Sequence, residues 1–174
     1  AAGIDFETLD SRLSVTNRII YSDTVSVGVF GGSISGEIIY DFNELLKPDF
    51  ELDLRGRKIS AAQFLNRCTG FGEALSGEID MQLVARGRGL TATEYRPTLN
   101  IKGRAIIEDG SIEEFDFSRR FEDFFGIKAF DNRRVDDLVA NFIYADQTLR
   151  FSQLVFDSDD IEYSIEGTVS QDGN

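Results

Sequence analysis

The chain has 174 residues, 41% hydrophobic and 28% charged, enough for one domain with a sizeable core. Its net charge is −13, from 18 basic and 31 acidic residues, which disfavours a nucleic-acid partner and charge-driven adsorption to an anionic membrane. With no histidine and one cysteine, it excludes an intrachain disulfide, a Cys-based zinc site, a Ser-His-Asp triad and His-based acid–base chemistry.

The opening segment AAGIDFETLD is already polar and patterned, with no secretory leader at Ala1. The chain therefore reads as a piece of a longer protein, with any anchor outside it. No run approaches the roughly 18 apolar residues that span a bilayer.

Strand patterns follow in series. Residues 13–21 read as one strand with Leu13, Val15, Ile19 and Tyr21 on a face. In 24–30 the apolar set is Val25, Val27 and Val29; in 34–40 it is Ile34, Ile38 and Tyr40. In 49–54, Phe50, Leu52 and Leu54 oppose Asp49, Glu51 and Asp53. Ser60 with Gln63 forms a capping-box pattern and predicts a helix over 60–68, with Cys68 as a small core residue beside Phe64 and Leu65. In LSGEIDMQLVARGRG, residues 75–89, Ile79, Met81, Leu83 and Ala85 alternate with Glu78, Asp80 and Gln82. Thr91 and Glu94 repeat the capping pattern, and Pro97 ends that turn.

The next strands carry Leu99, Ile101, Ala105 and Ile107, then Leu138, Ala140, Phe142 and Tyr144. Residues 149–156 align Leu149, Phe151 and Val155; residues 161–169 align Ile161, Tyr163, Ile165 and Val169. Between these sets, Ser118 opens a third helix whose Phe121, Phe124 and Phe125 form a stripe, with Gly126 at its end. Turns are predicted at 30–32 (FGG), 108–110 (EDG), 145–147 (ADQ) and 157–160 (DSDD). One-sided alternation in nine or more strands indicates antiparallel pairing, because buried parallel strands read as unbroken apolar runs.

Glycines recur inside the strands, as in SGEI at 35–38 and 76–79, KGRA and EGTV; they read first as bends in the sheet. Eight strands of seven residues present a face of about 900 Å², whereas three eight-residue helices cover about 360 Å². The sheet must fold on itself or offer part of its dry face to a ligand or partner. A closed β-sandwich with a Phe-rich core, serving as a structural or protein-interaction domain without lipid, is the alternative reading.

Catalytic signals are weak. RGRG at 86–89 precedes a helix but lacks a phosphate-binding glycine pattern and a βαβ setting. The acids at 157–160 and 108–110 lack EF-hand spacing, and the pairs at 113–114 and 136–137 are what a chain with 31 acids produces by chance. They leave calcium binding and glycan hydrolysis as minor alternatives. Arg86, Arg88 and the Arg pairs at 119–120 and 133–134 read as partners of nearby carboxylates, with acidic headgroups as the alternative. No cofactor or metal is expected.

From about residue 29 the order of elements resembles the C-terminal region of the AsmA-like family (AsmA, TamB and relatives). VFGGSISGEIIYD is similar to that family's strand pair with a glycine doublet, and ELDLRGRKISAAQFLNRCTG to its strand and short helix. ALSGEIDMQLVARGRGLTATEYRPTLNIKGRAIIEDGSIEEFDF resembles the most typical stretch: small-Gly strand, Gly-x-Gly turn, helix, strand, Asp-Gly turn. VDDLVANFIYADQTLRFSQLVFDSDDIEYSIEGTV resembles the closing strands. Departures are Gln147, where Gly often follows Asp, and the insert RRFEDFFGIKAFDNRR.

The resemblance implies a half-open β structure with an apolar groove, in a periplasmic protein of Gram-negative bacteria tethered to the inner membrane. It implies a non-enzymatic phospholipid-transport module acting in outer-membrane lipid homeostasis and envelope biogenesis. The expected fold is therefore mostly β: one domain over 1–174, an antiparallel curved sheet folded into a half-open, taco-like sandwich with two to three short helices. The residues expected to face the groove or core are Ile34, Ile38, Tyr40, Ile79, Met81, Leu83, Leu99, Ile101, Phe142, Tyr144, Phe151 and Ile165. Expected partners are phospholipid acyl chains and further β segments of the same protein or envelope proteins.

Overall fold

The computed structural model describes residues 7–68, 76–111, 134–158 and 161–170. Alternating segments joined by short turns pair most readily with their neighbours in sequence, and that rule builds the sheet. Its strands are β1 (Thr8–Ser11), β2 (Ser14–Thr16), β3 (Ile19–Val29), β4 (Gly32–Asp41), β5 (Asp49–Ser60), β6 (Glu78–Arg88), β7 (Asn100–Ser111), β8 (Arg134–Ala145), β9 (Thr148–Ser158) and β10 (Ile161–Ser170). The order is β1-β3-β4-β5-β6-β7-β8-β9-β10, with β2 also on β3, and the described ladders are antiparallel throughout. The fold class is the one anticipated: a mostly β, single open sheet that does not close on itself, with two short α-helices among the described residues.

The hairpins are set by left-handed turn residues. Asn17 and Arg18 (φ 49° and 64°), Phe30 and Gly31 (52° and 72°), and Asp146 and Gln147 (52° and 58°) each supply two consecutive positive φ angles. That backbone matches the right-handed twist of the flanking strands. β1 and β2 lie end to end along the outer edge of β3, which they cover as one interrupted strand.

Helix α1 (Ala61–Cys68) closes one end of the sheet. The Ser60 hydroxyl accepts the Gln63 amide at 3.4 Å, and the Ala61 amide donates to the Gly77 carbonyl at 3.0 Å. Phe64 meets Phe30 edge to face at 6.2 Å. Val29, Ile59, Ala61, Ile79, Ile107 and Leu138 are buried at this end and make the densest part of the core.

Helix α2 (Ala92–Tyr95) and a 3₁₀ turn over Arg96–Thr98 stand at the opposite end. The Glu94 carboxylate accepts the amides of Leu90 and Thr91 at 2.8 and 3.1 Å, as the capping pattern requires. The predicted third helix, with Phe121, Phe124 and Phe125, lies outside the described residues, as do the side chains of Leu65 and Cys68.

Three sequence expectations are corrected. Residues 13–21 are not one strand: the Asn17–Arg18 turn splits them, so Val15 faces Ile20 rather than sharing a face with Ile19 and Tyr21. The EDG at 108–110 is not a turn, since β7 runs on to Ser111 and Gly110 pairs with Val135. Val155 does not continue the face of Leu149 and Phe151. A bulge in β9 breaks the period of two, so Leu154 lies opposite Ala140 and Val155 opposite Val139.

Candidate functional site

Residues directly opposite each other on neighbouring strands share a face, so the registers give the apolar face row by row. At the α2 end the row is Tyr40, Phe50 and Gly87. The next is Ile38, Leu52, Ala85, Ile101, Tyr144 and Leu149. The third is Gly36, Leu54, Leu83, Gly103, Phe142 and Phe151. The fourth is Ile34, Gly56, Met81, Ala105, Ala140, Leu154 and Ile165. At the α1 end come Ile59, Ile79, Ile107 and Leu138.

Eleven of the twelve residues named from the sequence occupy these rows. Leu99 sits just before β7, two residues ahead of Ile101 and half-buried. Ile79 is buried; Ile34, Ile38, Tyr40, Met81, Leu83, Ile101, Phe142, Tyr144 and Phe151 are half-buried. Ile165 is placed by its register alone.

Sequence reasoning left the small residues out of this set, and they shape the surface. A Cβ on Gly103 would meet Cζ of Phe142 at 2.5 Å, and one on Gly87 would meet Cζ of Phe50 at 2.6 Å. The rings of Phe142 and Phe50 therefore lie over their cross-strand glycines, an arrangement known to offset the poor strand propensity of glycine. In the fourth row Gly56 and Ala105 flank Met81, Ala140 follows on β8, and the side chains of Met81 and Ile59 lie over Gly56. The signal was present as the recurring in-strand glycines, but which ring covers which glycine depends on register.

The strands of about twelve residues are near 40 Å long, and nine ladder-linked strands span about 38 Å. The two described helices, eight and four residues long, shade on the order of 200 Å² of that area. Tyr95 of α2 stands edge-on to Phe50 at 6.1 Å, and Phe50 leans on Tyr40 at 5.7 Å. Between the two ends the larger side chains stay half-buried, while Gly56, Ala85 and Ala140 beneath them are buried.

The other face carries the arginines and most of the acids, with Ile39, Val84, Ile106, Val139 and Ile143 set among them. Arg86 bonds Glu51 at 2.7 Å across the ladder. Arg88 grips Asp49 through two hydrogen bonds, at 2.8 and 3.1 Å, and also approaches Glu44 at 3.8 Å. The hydrogen bonds from Arg88 and Arg86 hold the Asp49 and Glu51 carboxyls below their ordinary range. A shallow cavity of about 510 Å³ beside them is lined by these two ion pairs together with Asp41, Ile39, Phe50, Gly87 and Thr98. Arg86 and Arg88 behave as partners of carboxylates, as the sequence indicated.

The same face holds one unbalanced feature. Glu78, Glu108 and Asp137 are cross-strand partners on three successive strands and so bring like charges side by side, and the backbone register runs on to Asp157 and Glu162. Among the described residues no group of three acidic or cysteine side chains is arranged to hold a metal ion, and no helix is long and apolar enough to cross a membrane.

No family model matches the chain, and neither a curated protein nor a solved structure matches it.

Proposed function

We propose that this chain is a non-enzymatic phospholipid-transport module of the AsmA-like kind, seating acyl chains on the apolar face of its open sheet. The observation that carries the reading is the run of half-buried large side chains, among them Ile38, Leu54, Leu83, Ile101 and Phe142, on one face of the open sheet between the α1 and α2 ends. Each seated methylene contributes up to about 0.8 kcal/mol, so retention needs no specific polar contact. The reading places the protein in the periplasm, tethered to the inner membrane through a segment outside this chain. Its further partners would be β segments of the same protein or envelope proteins.

The alternative from the sequence was a closed sandwich docking another protein. Support for the groove over that alternative comes from the ten strands forming one open sheet.

Native mass spectrometry of the purified protein, with organic extraction and lipid analysis, tests the proposal. Co-purifying phospholipid is expected, and Leu83→Asp, which puts a charge mid-row, is expected to lose it. A lipid-free wild type after reconstitution with phospholipid rules the reading out. So does a folded Leu83→Asp variant that retains lipid as the wild type does.

A further inference from the structure

The apolar face reaches the outer edge of the sheet and carries no charge in its rows. Leu9 on β1, 72% exposed, stands opposite Val27, which stands opposite Ile34, and so lengthens the fourth row. Val15 on β2, 71% exposed, lengthens the Tyr40 row through Ile20 in the same way. Among the described residues, no aspartate, glutamate, lysine or arginine occupies any of the five rows. Arg18, Lys47, Glu94 and Arg96, at the α2 end, lie in turns and the short helices beyond the rows. The three middle rows alone span about 20 Å along the strands and about 38 Å across them, near 760 Å².

We infer that two lipid-free copies of this chain close on each other through the apolar face, as a two-layer sandwich made of two chains. Area is the first argument. The middle rows match the roughly 800 Å² that each partner of a stable interface contributes, and exceed the few hundred Å² of apolar patch that a monomer ordinarily leaves open. Shape selects a sheet as the occupant. A helix is about 10 Å wide and would cover about a quarter of a face some 38 Å across. A second sheet covers it whole, and two sheets of the same twist pack aligned about 10 Å apart. A second copy brings such a sheet, with rows equally free of charge, so closure buries no ion. The net charge of −13 does not prevent it. Glu78, Glu108 and Asp137 stand on the outer faces, which a sandwich keeps about 20 Å apart, beyond twice the screening length of about 8 Å near 0.15 M salt.

The inference uses the face of the transport reading and rests on its being open, not on its lipid. The test is analytical ultracentrifugation of the extracted, lipid-free protein across about 0.1–100 μM. Wild type is expected to be a dimer at the upper end, with Leu54→Asp on the apolar face monomeric and Ile143→Asp on the other face dimeric. Salt at about 1 M should leave the dimer intact, since it screens the outer charges. Met81 reads the wild type directly: it is the chain's single methionine and stands in the fourth row. With a tenth of the chains monomeric, peroxide should convert it to the sulfoxide about tenfold more slowly than in the dilute monomer, read on the Met81 peptide by mass. A lipid-free protein that stays monomeric, a dimer that falls apart at about 1 M salt, or a Met81 rate indifferent to concentration each overturns the pairing. The first of these leaves the face to a different protein. A dimer that never takes up phospholipid leaves the pairing standing and removes the groove; a lipid-binding protein that is monomeric when extracted does the opposite.

Discussion

Glu108 sits in the middle of the acidic row, directly opposite Glu78 on one side and Asp137 on the other. Replacing it with lysine turns two repulsive cross-strand pairs into attractive ones. At about 6 Å in water, two unit charges interact with about 0.7 kcal/mol, and like charges directly opposite on a sheet destabilise it by a comparable amount. Reversing one partner of two pairs changes the total by up to about 3 kcal/mol before screening. With a Debye length of about 8 Å near 0.15 M salt, roughly half survives, so Glu108→Lys should stabilise by about 1 kcal/mol. That is a rise of about 2–4 °C in Tm for a domain of this size. Thermal melts of wild type, Glu108→Gln and Glu108→Lys, at about 0.02 M and about 1 M salt, measure it. The neutral variant should gain about half as much as the lysine, and both gains should shrink at about 1 M, where the screening length falls to about 3 Å. A Glu108→Lys protein no more stable than wild type at low salt, or a gain indifferent to salt, would refute the register or its electrostatic reading.

The remaining predictions concern backbone, floor and caps. Gly36→Ala drives a Cβ into the Asp53 carbonyl oxygen, a backbone atom that cannot step aside. It should cost at least about 3 kcal/mol, seen as a large fall in the urea midpoint. Gly103→Val meets only the movable end of Phe142, apart from the Gln82 carbonyl at 3.1 Å. The ring should lift and the loss of its packing be offset by better strand propensity, leaving stability within about 1 kcal/mol while raising the floor. Lipid retained at the wild-type level by a folded Gly103→Val protein counts against a groove at that row.

Gln147 holds φ 58°, a conformation that costs a non-glycine residue about 1 kcal/mol, so Gln147→Gly should raise Tm by about 2–4 °C. The Glu94 carboxyl lies below its ordinary value, first through the Leu90 amide and then through that of Thr91. Its contribution is therefore full above the unfolded carboxylate range and is lost as the pH falls through the depressed value. Glu94→Gln should flatten the decline in stability below about pH 4.5, read from urea midpoints at several pH values. An unchanged acid limb would remove Glu94 as its source.

Much of this architecture was written in the order of residues. Period-two alternation marked nearly all the long strands and their dry face, because a pleated backbone sends successive side chains to opposite sides. Ser60 and Thr91 marked both described helices, because their side chains meet amides only a few residues away. Such signals are local, and local chemistry is legible in sequence.

Register is not local. The bulge in β9 that turns Val155 away, the continuation of β7 through Asp109 and Gly110, and the hairpin that divides 13–21 all depend on which strand pairs with which residue. The same holds for the three acids Glu78, Glu108 and Asp137 brought abreast and for Phe142 lying over Gly103, residues 39 apart. A strand's own pattern fixes which face is apolar. Only the pairing of one strand against the next decides what stands beside what on it, and hence which side chain covers which glycine and where like charges meet.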